Sequence, residues 1–194
     1  MAASLQSKLK ALNASSELAM EYAEREIPLL KNIMERLHKK GVYSFDGSLN
    51  IAIFSCIAEA DLSILMVRML HEQFTYEMTL FARVIALALH EYALDIQRML
   101  SDLIKNELAT TQFSAHRSDI LQLNKRNTDF IKKNIKQLKQ IRNNTIAHKT
   151  KQAVDLANLV YDTDPIDIFN IGLELMEISR QVKLEAGKIT AKIK

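Results

Sequence analysis

The stretch TYEMTLFARVIALALHEYALDIQRMLSDLIKNE, from Thr75 to Glu107, decides the fold. Its residues Phe81, Ile85, Ala88, Tyr92, Met99 and Leu103 recur at the spacing that lines one face of an α-helix. A sheet-rich fold needs many tight turns, yet the whole chain of 194 residues holds only four glycines and two prolines. Long helices joined by few connections suit this composition better than a β-sandwich or an α/β fold.

Upstream of that stretch, Ser48 or Asn50 can cap a helix over roughly residues 49–72. The connection from Tyr43 to Ser48 separates it from a first helix. That helix begins within the first twenty residues and reaches about Lys40, where Gly41 ends it. Pro28 falls inside it and should kink it or divide it in two. Downstream, the polar residues 108–116 form a loop. Ser118-Asp119 begins a fourth helix, with a break expected near Asn127-Thr128-Asp129 and an end about Arg142–Asn144. After a turn around His148–Thr150 comes a short helix, about 152–161. Asp164-Pro165 then signals another start, with Asp as cap and Pro at the first helical position. The last helix runs to near the C-terminus. The expectation is a single all-α domain over 1–194, an up-and-down bundle of five to six helices without strands.

Hydrophobic residues make up 48% of the chain and charged residues 25%, ordinary for a soluble globular domain. The single cysteine, Cys56, excludes an intramolecular disulfide and reads as a small core residue. The apolar stretches Ile51–Leu70 and Leu80–Ile96 carry Glu59, Asp61, Arg68, Arg83, His90, Glu91 and Asp95, which argues against bilayer spans. With no export signal in the first twenty residues, the expected location is cytoplasmic, without membrane contact.

Charge is unevenly spread. Residues 125–151 contain Lys125, Arg126, Lys132, Lys133, Lys136, Lys139, Arg142, Lys149 and Lys151 against one acid, Asp129. That segment carries a formal +8 within a chain of +3, leaving −5 elsewhere. A basic patch on a mildly acidic body suits an anionic partner. Within it, Ile131, Ile135 and Leu138 form an apolar stripe whose next position is Arg142, within about 20° of the stripe's line. An arginine aimed at a packed face needs a partner: a structural carboxylate, with Glu91 or Asp95 as candidates, or a phosphate. Asn143, Asn144 and Thr145 are poor interior helix residues, so the helix is expected to fray there and turn His148 back toward Arg142.

Arg142, Asn143 and His148 resemble the signature of the HEPN superfamily (higher eukaryotes and prokaryotes nucleotide-binding). That signature is Arg, four to six residues, then His, usually with a polar residue directly after the Arg. The local string Arg-Asn-x-x-Ile-Ala-His is most similar to abortive-infection-type HEPN proteins, and departs from them at Asn144, where Lys is frequent. The resemblance implies a helical bundle, usually a homodimer with both Arg–His pairs lining one cleft, and metal-independent RNA cleavage of a bacterial defence or toxin–antitoxin type. It also implies a nucleotidyltransferase-like antitoxin as partner. Arg142, His148 and Asn143 would then be the catalytic residues, and Lys132, Lys136, Lys139 and Lys149 would guide the RNA, with no metal or cofactor.

Two other readings compete. A non-catalytic HEPN-like module would use the same residues to bind nucleotide, RNA or a protein without turnover. A metal-binding bundle would use Glu35-x-x-His38, half of a di-iron pattern whose second copy is absent, or His38, His90 and His148 together. His71 and His116 read as surface residues.

Overall fold

Ala2–Lys39 form one helix, α1, which continues through Pro28. The division expected at Pro28 does not occur. Pro28 and Glu24 lie on the exposed side of the helix, where the Glu24 carbonyl that loses its N–H partner can meet water. Gly41, at φ +71°, ends the helix in a Schellman turn. Val42 N–H donates to Leu37 O and Gly41 N–H to His38 O, both at 2.9 Å.

In this computed structural model the described residues are 2–72, 74–109, 113–146 and 153–191. Side chains are described from Asn13 onward, apart from 144–146, 153–156 and 159. Helix α2 spans Asp46–His71 and α3 spans Thr75–Asn106. After the 3₁₀ turn Ser114–His116, α4 spans Arg117–Ile146. Helix α5 spans Ala153–Asp162 and α6 Pro165–Thr190. Among the described residues the chain is therefore all-helical, with six α-helices and no strand.

Helix α6 starts as its sequence dictates: Asp164 accepts a hydrogen bond from Ile166 N–H at 2.9 Å, and Pro165 occupies the first turn. Helix α2 does not. Neither Ser48 nor Asn50 is its cap, and the helix begins earlier, at Asp46. The Glu107 carboxylate, arriving from the end of α3, accepts from Gly47 N–H, Ser48 N–H and Ser48 Oγ–H. The close approach depends on glycine, because a Cβ at Gly47 would stand 2.6 Å from Glu107 Oε1.

Helix α2 is the centre of the bundle, packed against α1, α3 and α6. Leu49, Ile51, Leu62, Met66 and Met69 are wholly buried there against Ile85, Leu89, Ile96 and Leu100 of α3 and Leu175 and Val182 of α6. Consecutive helices α1–α2, α2–α3 and α3–α4 are neighbours, as an up-and-down bundle requires, and α4 also packs on α6. By length and composition α2 is the one described helix that could cross a membrane, but 56% of its apolar window is buried inside the protein. Its acidic residues are matched within the bundle. Glu59, 4% exposed, accepts from Arg180 Nε at 3.1 Å and Nη2 at 3.0 Å and from Lys183 Nζ, while Asp61 accepts from the Tyr92 hydroxyl. Cys56 is buried beside Ala23 and Ala60, and burial pushes its thiol above the usual range, consistent with a packing role.

Glu107 gives a test of the α2 cap. Burial pushes its carboxyl above the ordinary range, against the opposing pull of the bonds from Ser48 and Gly47. The fold therefore favours the protonated form, and the stability Glu107 contributes should decline as pH rises through that raised value. Glu107→Gln cannot ionise. The stability of wild type minus that of the variant should fall as pH rises above the ordinary carboxylate range in urea titrations, and a flat or rising difference would refute this account. Glu107→Ala should cost about 1–2 kcal/mol by leaving the α2 N–H groups without their acceptor.

Candidate functional site

Helix α4 carries the basic segment, and it is unbroken. The break expected near Asn127-Thr128-Asp129 is absent because the polar residues there bond to α3. Asn127, 0% exposed, donates its Nδ2–H to Ala93 O at 2.9 Å and to Gln97 Oε1 at 3.1 Å. Thr128 Oγ1 lies 2.8 Å from Asn124 O of its own helix and 3.1 Å from Gln97 Oε1, and Gln97 Nε2–H donates to Asn124 Oδ1 at 2.7 Å. Nor does α4 fray at Asn143–Thr145; it stays helical to Ile146.

The buried line of α4 is Ile120, Leu123, Asn127, Phe130, Asn134, Leu138 and Ile141. Ile131, Ile135 and Arg142 lie on its rim, each half-buried. The expectation that Arg142 stands near the centre of the packed face is therefore corrected to its edge. Two asparagines, Asn127 and Asn134, occupy core positions, and a line drawn through apolar residues alone is rotated away from the true one.

At that edge Arg142 forms an ion pair with Glu91 of α3, Nε to Oε1 at 2.8 Å. The same oxygen lies 3.2 Å from His90 Nδ1. A carboxylate only accepts, so His90 presents Nδ1–H to it, and a neutral ring then leaves Nε2 as an acceptor. Arg142 and Glu91 are 40% and 45% exposed at the side chain, whereas the His90 side chain is 8% exposed. The buried histidine thus braces the carboxylate that holds the arginine. Nε makes the shortest contact of that pair, and no hydrogen bond from the two Nη nitrogens occurs among the described residues. Glu91 is one of the two carboxylates anticipated for Arg142; the other, Asp95, pairs with Arg98 at 2.9 Å. Asn143 is half-buried beside Arg142.

Lys132, Lys136 and Lys139 are exposed, and their spacing puts them with Lys125 on one face of α4. None has an ion pair among the described residues, whereas Lys133, on another face, binds Glu174 at 2.9 Å. His148 and Lys149 lie outside the described residues.

The metal readings gain nothing. His38 Nε2–H donates to Asp46 Oδ1 at 2.8 Å, and Glu35 faces Lys31 at 4.0 Å. No group of three potential ligands occurs among the described residues. His71 is exposed, with Nε2 3.4 Å from the Asn13 amide. His116 is not a surface residue as expected: it is half-buried, and its Nε2 is enclosed without a hydrogen-bond partner. The link missed from sequence is His90–Glu91–Arg142. The adjacency of His90 and Glu91 was visible, but their approach to α4 depends on how α3 and α4 pack. Compared with known proteins, the chain matches no family model, no curated protein and no solved structure.

The half-exposed Arg142–Glu91 pair contributes little to stability on physical grounds. Arg142→Ala and Glu91→Ala should each shift urea-unfolding free energy by less than about 1 kcal/mol. A loss above about 3 kcal/mol from either would identify the pair as scaffold, the cost expected from breaking a buried ion pair.

Proposed function

We propose that the protein is a cytoplasmic, metal-independent endoribonuclease of a bacterial defence or toxin–antitoxin type, built on a HEPN-like bundle and acting as a homodimer. The observation that carries this reading is Arg142. Its guanidinium is half-exposed at the rim of α4, paired with Glu91 at Nε, and the unpaired lysines of α4 stand on an exposed face of the same helix. That arrangement suits an RNA backbone. Lysines supply sequence-independent attraction to phosphates, and an arginine adds a fork that fits phosphate oxygens.

The chemistry uses the nucleophile that RNA itself carries. As the 2′-oxygen attacks phosphorus, its proton passes to a general base, and the departing 5′-oxygen takes a proton from a general acid. His148 fills one of these roles, and the second copy's histidine of a dimer fills the other. Arg142 offsets the negative charge that grows on the phosphate oxygens. Asn143, next to it, hydrogen-bonds a phosphate oxygen or orients the pair. Lys132, Lys136, Lys139 and Lys149 guide the strand. The products are a 2′,3′-cyclic phosphate and a 5′-hydroxyl. A nucleotidyltransferase-like antitoxin as partner rests on the family resemblance alone.

One observation favours a second reading, a phosphate-binding module without turnover: the Arg142 charge is already partnered by Glu91 at 2.8 Å. The two separate experimentally. Purified protein in EDTA should cleave single-stranded RNA to fragments ending in 2′,3′-cyclic phosphate. His148→Ala should slow cleavage about 10²–10⁴-fold, the usual contribution of a general acid or base, while RNA affinity is retained. Arg142→Ala should slow it about 10²–10³-fold and also weaken binding. Cleavage undiminished in His148→Ala rejects the enzyme. Binding without cleavage by wild type selects the module.

A further inference from the structure

Arg83 of α3 is 6% exposed, yet it has no carboxylate partner among the described residues. Its one hydrogen bond is a long one, from Nε–H to Thr79 O at 3.3 Å, one turn back along its own helix. Arginine keeps its charge at any physiological pH, and enclosing an unpaired charge is among the costliest things a fold does. Elsewhere the bundle avoids this cost: Glu59, comparably enclosed, is met by both Arg180 and Lys183.

Arg83 is not sealed in the core. The fully enclosed, unpartnered side-chain atoms among the described residues belong to Ser55, His116, Asn127, Asn134 and Glu185, and none to Arg83. Its remaining N–H groups therefore keep contact with solvent. At about 100° per residue, Arg83 lies within about 40° of Gln97 and about 80° of Glu91 around α3, and both of those side chains meet α4. The two helices run antiparallel, with Gln97 meeting Asn124 and Ala93 meeting Asn127. The N-terminal half of α3, with Arg83 in it, thus lies beside the C-terminal half of α4, which carries Arg142.

We propose that Arg83 is a phosphate-binding residue: an enclosed guanidinium without a carboxylate, on the α4-facing side of α3, that takes a backbone phosphate of the RNA strand engaged by Arg142. This rests on the reading of the protein as RNA-binding and adds to it a residue outside the basic segment. A rigidly framed, weakly solvated guanidinium gains more from a phosphate than a flexible surface lysine does, because less is lost in ordering it.

The test is Arg83→Met, compared with Arg83→Lys. Removing an enclosed unpaired charge in favour of an apolar side chain of similar length should leave the melting temperature unchanged or raise it. The same change should weaken binding of a single-stranded RNA oligonucleotide at least about tenfold, the loss of one charged hydrogen-bonding group. It should also lower the log–log salt slope by about one. Arg83→Lys keeps the charge, so the slope should hold while affinity falls. A second readout is the thermal shift given by inorganic phosphate against chloride at matched ionic strength, which Arg83→Met should abolish. Adenosine monophosphate in place of RNA distinguishes a strand phosphate from a free nucleotide: strong protection by the nucleotide would overturn the assignment to the strand. A folded Arg83→Met protein with a lowered melting temperature and unchanged RNA affinity and slope makes Arg83 structural. If Arg83→Met does not fold, unchanged affinity and slope in a folded Arg83→Gln decide the same way. Wild type that binds no RNA rejects the function proposed above; the phosphate shift and its loss in Arg83→Met still decide whether Arg83 holds an anion, and a wild type that phosphate does not stabilise either overturns the proposal.

Discussion

The Asn127 amide, buried between α4 and α3, is the interaction on which the candidate site depends. Its Nδ2–H groups reach the Ala93 carbonyl and the Gln97 side chain. A buried amide left unsatisfied costs more than a satisfied one returns, so this contact contributes little net stability but strongly penalises other alignments. Sliding α4 along α3 by one turn would strand Asn127 and break the Gln97–Asn124 bond with it. The alignment it selects sets Ala93 opposite Asn127 and Gln97 opposite Asn124, along the interface at whose edge Arg142 and Glu91 pair. Stability comes from elsewhere, from the apolar core that α2 shares with α1, α3 and α6.

Enclosed charges in this bundle are treated in two ways. Glu59 joins α2 to α6 through Arg180 and Lys183, and the Lys183 ammonium also sits 4.5 Å from the centre of the Tyr22 ring on α1. Three helices share one neutralised cluster, and removing a single member would leave the others uncompensated. Burial is also the largest cause of the raised Tyr22 hydroxyl, as expected where an aromatic ring covers such a cluster. At the α3–α4 end the treatment is looser: Arg142 is half in solvent and paired at its Nε, and Arg83 has no counter-charge among the described residues.

Features whose signals are local were legible in the sequence. Gly41 ends α1 and Asp164-Pro165 starts α6 because a left-handed turn and a side-chain cap are built from consecutive residues. Several of the misreadings involve partners distant in sequence. The cap of α2 is Glu107, about sixty residues away, and no local pattern can propose it. Asn127, in the Asn127-Thr128-Asp129 stretch, looks like part of a helix break until α3 supplies its partners. Asn127 and Asn134 hold packed positions that a stripe through Ile131, Ile135 and Leu138 passes by, and Arg142 stands at the rim rather than the centre. In the site, Arg142 and its Glu91 partner could be named in advance, since an arginine beside an apolar stripe must find a carboxylate or an anion. The brace from His90 could not, because it depends on how two helices meet.

The remaining asymmetry bears on function. A chain with 23 acidic residues has no shortage of carboxylates with which to neutralise Arg83. It places one instead against Arg142, where half-exposure makes pairing nearly worthless for stability. A fold shaped by stability alone would do the reverse, pairing the enclosed cation and leaving the exposed one to water. A site that takes phosphate explains both choices. On the proposed phosphate-binding reading, the enclosed arginine would stay unpaired because its counter-charge arrives with the ligand, and the exposed one would have an orienting carboxylate because its direction, rather than its burial, is what the ligand reads.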